Sequence, residues 1–276
     1  MRVLITGTNG QLGRELTRQY ADKDVKLLLT DVNELDITNV DNVFNYFNNE
    51  KPDVVINCAA HTAVDKCETD IENAYKINTI GTKNLSAAAY SIGAEIVQVS
   101  TDYVFDGTIN KELTEFDTPN PQTVYGKTKL EGENFVKTLN PKHYIVRTAW
   151  LYGDGNNFVR TMLNLSKNNK TITVVNDQFG SPTSTVDLAK VIINLIENKN
   201  YGLFHCTCKG KCSWYDFAKE IFKLKNVDVN LTPCTTEEFP RPAKRPNYSV
   251  LKNYMLELTT GDTTRTWQEA LKEYLS

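Results

Sequence analysis

Residues 2–20, RVLITGTNGQLGRELTRQY, run a short, almost wholly apolar segment into a turn with glycines at 7, 10 and 13, and then into helical spacing. An apolar run such as RVLITG is what a strand covered on both faces requires. Glycines in such a turn let the backbone bend tightly and approach a pyrophosphate, which sits on the free N–H groups of the following helix. The spacing is G-x-x-G-x-x-G, not the G-x-G-x-x-G of the usual dinucleotide fingerprint, and a bare strand-to-helix turn is the alternative. Asp31 closes the next strand-like run, VKLLLTD, about twenty residues on, where an acidic group holds the adenosine ribose hydroxyls. A carboxylate there opposes an extra phosphate, which favours NADH over NADPH.

The alternation continues to about residue 152. NVDNVFNYFNNEK is helical and ends at Pro52, DVVINCAA is a third strand, and residues 73–93 read as one long helix closed by Gly93. AEIVQVSTDYVF is the fourth strand running into a loop, residues 125–139 are the next helix, and HYIVRTAWLYG is a further strand. Strict alternation means parallel strands joined by right-handed crossovers, an α/β fold with a Rossmann-like doubly wound parallel sheet. Beyond about Gly153 the regularity fades. NNFVRTMLNLSKNN, TSTVDLAKVIINLIENK and SWYDFAKEIFKL are helical, the last with Ser213 as its N-cap, whereas EEFPRPAKRPNYSVL excludes regular helix and central strand. The expected division is a dinucleotide-binding domain over 1–152 plus about 180–205, and a smaller C-terminal substrate-binding α/β cap over about 153–179 and 206–276.

A net charge of −3 supplies no footprint for nucleic acid or an anionic membrane, and no apolar run approaches the length of a membrane span. The N-terminus enters a strand at once and leaves no room for a signal peptide, so a cytoplasmic protein is expected. Cys58, Cys67, Cys206, Cys208, Cys212 and Cys234 accordingly read as reduced thiols. HCTCKGKC, residues 205–212, has the look of a metal site. Yet Cys206 and Cys208 share one face of the strand-like YGLFHCTC while His205 takes the other, and no second paired half is present. Buried thiols are the expectation, with no metal.

TVYGKTKLEGENF, residues 123–135, places Tyr125 one helical turn before Lys129 on the same face. Lys127/Glu131 and Lys129/Glu133 are also spaced as ordinary surface ion pairs. Beside a dinucleotide, the first two residues become a proton-transfer pair, because a nearby ammonium lowers a phenol from its usual pKa of about 10. Thr101, in STDYVF, polarises a substrate carbonyl from the same sheet edge. Thr101, Tyr125 and Lys129 are the candidate catalytic residues, for hydride chemistry and not hydrolysis. The cofactor-binding candidates are Gly7, Asn9, Gly10, Gln11, Leu12 and Gly13, then Asp31, Asp36 and Ile37, then Ala59, Ala60, His61 and Thr62, together with Tyr125 and Lys129. Small Ala59 and Ala60 let a dinucleotide cross the sheet edge. Asp36 has helix capping as its alternative role, and His61 a plain loop hydrogen bond.

Together these motifs resemble the extended short-chain dehydrogenase/reductases. The longer stretches AAHTAVDKCE, STDYVFDG, VYGKTKLEGE, RTAWLYG, NNFVRTML, NDQFGSPT and RPNYSVL are similar, in order, to the dTDP-4-dehydrorhamnose reductase branch over residues 1 to about 252. The resemblance implies reduction of dTDP-4-dehydro-beta-L-rhamnose to dTDP-L-rhamnose by NADH or NADPH, with hydride added at sugar carbon 4 and Tyr125 protonating the alkoxide. It implies that Lys129 also holds the nicotinamide ribose, and that Thr101, Asp102 and Tyr103 contact the sugar near its keto group. It puts Trp150 against the sugar face and Arg245, with Arg241, on the diphosphate. Plain strand-end packing is the alternative for Trp150, and a solvated charge the alternative for Arg241.

Related dehydratases carry Asp-Glu after the active threonine, whereas Asp102-Tyr103 stands here, which argues against dehydration. Related epimerases have a longer C-terminal portion. A nucleotide-binding regulatory subunit resembling that of methionine adenosyltransferase shares the scaffold, but intact Thr101, Tyr125 and Lys129 favour an enzyme. The residues do not separate NADH from NADPH or a monomer from a homodimer, nor do they show whether Mg2+ assists assembly as in some relatives.

Overall fold

Apolar side chains alternate along each central strand between two cores. In a computed structural model describing all 276 residues, β1 (Arg2–Thr6) sends Val3 and Ile5 into one core and Leu4 into the other. With β2 (Lys26–Thr30), β3 (Val54–Asn57), β4 (Glu95–Thr101), β5 (His143–Thr148) and β6 (Gly202–His205) it forms a parallel six-stranded sheet, ordered β6-β5-β4-β3-β1-β2. Helices α1 (Gln11–Tyr20) and α5 (Thr185–Glu197) cover one face through Leu12, Leu16, Leu188 and Ile192. Helices α2 (Val40–Glu50), α3 (Thr82–Ser91) and α4 (Val124–Leu139) cover the other through Phe47, Leu85 and Val136. Each fully buried side chain of this size contributes about 1.5–3 kcal/mol. Strand order reverses between β1 and β3, so the crevice beyond their C-terminal ends is where such a sheet takes a ligand.

Three elements differ from the sequence expectation. Residues 73–93 are not one helix: Tyr75–Gly81 forms a π-helical segment between Ile71–Ala74 and α3. The widened turn frees the Asn78 side chain to accept from the His61 N–H at 2.8 Å and to donate to Thr128 Oγ1 at 3.0 Å. A Cβ on Gly132 would stand 2.6 Å from the Asn78 carbonyl oxygen, so the segment packs directly on α4. The strand expected over residues 143–153 breaks after Thr148, because Trp150 takes a φ of 49° before the short strand Leu151–Tyr152. The strand expected over residues 201–208 stops at His205.

The remaining chain builds a third core. Parallel strands Thr171–Val175 and Asn230–Cys234 pack with helices Phe158–Ser166, Trp214–Leu224 and Trp267–Leu275 around Val159, Phe217, Ile221 and Trp267. The HCTCKGKC stretch is divided between cores: Cys206 joins the sheet core, whereas Cys208 and Cys212 join this one. All six cysteines are free, and no three His, Cys, Asp or Glu side chains are grouped to hold a metal. His205 is buried edge-on to Phe105, and burial pushes its imidazole down to about 3. No helix is long and apolar enough to cross a membrane.

A buried ion pair joins the sheet to α4. Arg147 of β5 donates through Nε and Nη2 to both oxygens of Glu133, at 2.9 and 2.7 Å, and the Ser100 hydroxyl of β4 donates to Glu133 Oε1 at 2.6 Å. The side chains of the two charged residues are 1% and 0% exposed. Glu133 therefore pairs with Arg147 instead of Lys129, and Lys127/Glu131, the other spaced pair, makes no ion pair at all. Removing one member leaves a buried charge unmatched. Glu133→Ala is expected to lower unfolding free energy by about 3–5 kcal/mol in urea titrations; a loss below about 1 kcal/mol would contradict this account of the pair.

Candidate active site

The glycine turn is shaped by close backbone approach. Gly7 takes a φ of 66°, and a Cβ there would stand 2.8 Å from Ala59 N. A Cβ on Gly13 would stand 2.4 Å from the Gly7 carbonyl oxygen. Helix α1 has Gly10 at its N-cap position and no side-chain cap, so its first N–H groups stay free for an anion. This tight, uncapped turn opens on a cleft of about 750 Å³ along the C-terminal edge of the sheet. Such a cradle fits the pyrophosphate of a dinucleotide.

The cleft gathers most of the candidates. Gly7, Gly10, Gln11, Leu12 and Gly13 line it at the turn, and Asp31, Asp36 and Ile37 line one end. Ala59, Ala60 and Thr62 line its middle, and Thr101, Asp102, Tyr103, Tyr125, Lys129 and Trp150 its other end. Asp31 also staples the loop, accepting from the Asn9 N–H at 3.2 Å and the Val32 N–H at 2.8 Å. Asp36 accepts from both the N–H and hydroxyl of Thr38, a local turn contact. Asn9 and His61 are not among the lining residues. The His61 ring pairs with Asp70 at 3.2 Å, which matches its loop-bonding alternative.

At the reaction end, Thr123 caps α4 by accepting from the Gly126 N–H, and the first turn carries Tyr125 into the cleft. Tyr125 is 8% exposed and Lys129 3%. The Lys129 ammonium donates to the Val99 carbonyl at 2.7 Å. Burial pushes this ammonium down to about 8, and Glu133 opposes the change. Burial likewise pushes the Tyr125 phenol well above its ordinary value, countered by the Thr101 hydroxyl. The expected lowering of this phenol is not seen: burial dominates it. Thr101 donates to Asp102 Oδ1 at 3.0 Å and accepts from the Tyr103 N–H at 3.2 Å. Burial raises the Asp102 carboxyl to about 6.

Trp150 reaches the cleft but has one indole face covered by Trp214. Arg245 does not line the cleft; it donates to the Tyr103 hydroxyl at 2.8 Å and to Asp65 Oδ2 at 2.9 Å. Arg241 stays on the Pro-rich segment, exposed, over the Phe239 ring. Several lining residues were not singled out from sequence, among them Arg14, Cys58, Thr148 and Gly155–Asn157. Arg14 directly follows the third glycine. The GDGNN run follows a strand at the same edge and is bound to the turn, with Gln11 Oε1 accepting from the Gly153 N–H at 2.9 Å. Both signals were readable in position, if not in residue type.

Lys129 supplies a positive charge only while protonated. With its ammonium held near 8, that charge is lost as pH rises through this value. The kcat/KM profile of the free enzyme is therefore expected to fall on the alkaline side with a midpoint near pH 8, measured by steady-state kinetics across pH 6–10. A flat profile to pH 10 would contradict this role.

The family model described as the RmlD substrate binding domain matches residues 1–276. The chain is 43% identical to a dTDP-4-dehydrorhamnose reductase of Aggregatibacter actinomycetemcomitans, across 98% of this chain and 97% of that protein. A crystal structure of a dTDP-4-dehydrorhamnose reductase from Clostridium acetobutylicum superposes with a TM-score of 0.99 at 70% identity, covering 100% of this chain and 98% of the other. One from Bacillus anthracis in complex with NADP gives 0.97 at 44% identity, covering 99% and 98%. With the motifs and the cleft, these likenesses show that the chain belongs to the RmlD substrate-binding-domain family, within the extended short-chain dehydrogenase/reductases.

Proposed function

We propose that this chain reduces the 4-keto group of dTDP-4-dehydro-beta-L-rhamnose to give dTDP-L-rhamnose. The observation that carries the reading is the burial of Tyr125 and Lys129 beside Thr101 at one end of a cleft whose other end is a glycine cradle. Family membership names the substrate class, since relatives at 43% and 70% identity bear this reductase's name.

A bound nicotinamide supplies the hydride that adds to sugar carbon 4. Tyr125 gives its phenolic proton to the resulting oxygen, and its burial keeps that proton in place until the oxygen becomes basic. Thr101, with its hydroxyl between Asp102 and the Tyr103 N–H, orients the carbonyl. Lys129, which uses one of its donors on Val99, would hold the nicotinamide ribose with the others, and its charge favours the phenolate left after transfer. Gly7, Gly10 and Gly13 with the α1 N-terminus hold the pyrophosphate. Asp31 would hold the adenosine ribose, with Asp36 and Ile37 lining the adenine end of the cleft.

NADH is the favoured cofactor. Around Asp31 and Asp36 the cleft presents no basic side chain for a 2′-phosphate; its two cationic lining residues, Arg14 and Lys129, belong to the turn and to the reaction end. The Bacillus anthracis relative was solved with NADP, so the preference here is one of degree. Arg245, fixed by Asp65 and the Tyr103 hydroxyl, keeps three of its five N–H donors for the diphosphate.

Tyr125→Phe is expected to lower kcat by about 10²–10⁴-fold while NADH binding, followed by fluorescence titration, stays within about threefold of wild type. In the same assay kcat/KM for NADH exceeds that for NADPH. Undiminished turnover in Tyr125→Phe would remove the assigned proton donor, and a wild-type protein that binds NADH but reduces no dTDP-4-keto-hexose would favour a regulatory subunit.

A further inference from the structure

Trp150 and Trp214 stack face to face, with ring centroids 3.5 Å apart and planes within 7°. Trp150 lines the reaction end of the cleft and holds a φ of 49°. A bulky residue keeps that left-handed conformation only where its surroundings enforce it. Two neighbours pack directly on its indole. Gly180 lies so close that a Cβ on it would stand 2.5 Å from Trp150 Cε2. Trp214 covers one indole face and is itself fixed from behind. It is the first residue of the helix Trp214–Leu224, whose start is set by a capping box between Ser213 and Asp216. Phe158 packs on its ring at 4.6 Å, and Phe217 lies beyond it in the same core.

Trp214 does not itself line the cleft, so whatever it does there passes through Trp150. We propose that Trp214 is a positioning residue for the nucleotide-sugar: its stack fixes the aromatic wall beside the hexose and ties the third core to the reaction end. This rests on reading Trp150 as sugar-facing. Trp150 lies at the opposite end of the cleft from Asp31 and Asp36, so the effect falls on hexose binding and not on the adenosine half of the cofactor.

The test is kinetic and spectroscopic. Trp214→Ala is expected to raise the KM for a dTDP-4-keto-hexose about tenfold, with kcat changed less than threefold and the KM for NADH unchanged. Trp214→Phe keeps a stackable ring and brings that KM back to within about threefold of wild type. Two indoles at this spacing couple excitonically, so the wild type gives a paired circular-dichroism band that Trp214→Phe abolishes. Adding dTDP-L-rhamnose shifts this band, whereas NADH alone does not. Gly180→Ala crowds Trp150 independently and raises the same KM, so the inference stays testable where Trp214→Ala fails to fold. An unchanged hexose KM in a folded Trp214→Ala, or in Gly180→Ala where Trp214→Ala fails to fold, overturns the proposal, as does an equal rise in the KM for NADH. A wild type that oxidises no NADH with any dTDP-4-keto-hexose removes the functional reading itself, and the inference with it.

Discussion

The carboxylate of Glu133 is the point on which the reaction end of this molecule hangs. It accepts from Ser100 on β4 and twice from Arg147 on β5, and it is itself part of α4. Each of those residues adjoins one that faces the cleft: Ser100 precedes Thr101, Arg147 precedes Thr148, and Glu133 lies one turn after Lys129. Buried ion pairs add little net stability over an apolar replacement of the same shape. What this one supplies is geometry, because two oxygens sharing three donors tie two strands and a helix at one point. The π-helical segment reinforces it from the other side, through Asn78 and Thr128 on α4.

The same burial sets the electrostatics. It keeps the Tyr125 phenol protonated, which a proton donor for ketone reduction needs. It also works against the Lys129 ammonium, which the field of Glu133 then partly restores. One desolvated environment thus acts on two neighbouring groups in opposite senses: it suits the donor, and it makes the charge beside the donor dependent on the residues below it. The buried pair and the reaction end are for this reason one unit and not two.

The sheet was legible in the sequence because its strands are short apolar runs punctuated by glycine, proline and capping residues, local signals that tertiary packing has no reason to override. The turn at Gly7, Gly10 and Gly13 was legible for the same reason, and it lines the cleft where the strand order reverses. What escaped was decided by partners distant in the chain. The break at Tyr75–Gly81 follows from Asn78 finding His61 and Thr128, and nothing in YKINTIG announces it. Spacing made Glu133 a partner for Lys129, but the fold brought Arg147 closer. Arg245 is fixed by Asp65 and Tyr103, two residues far from it in sequence that no local spacing links to it. Trp214 carried no motif at all.

The most direct measurement is the fate of the transferred hydrogen. NADH carrying deuterium at both hydrogen positions of nicotinamide carbon 4 is supplied with dTDP-4-dehydro-beta-L-rhamnose and the purified protein, and the product is read by mass spectrometry and NMR. The account requires one deuterium at carbon 4 of the hexose in dTDP-L-rhamnose, with one NADH consumed per product formed. Bound NADH that is never oxidised, or a reduced sugar without label at carbon 4, would contradict it.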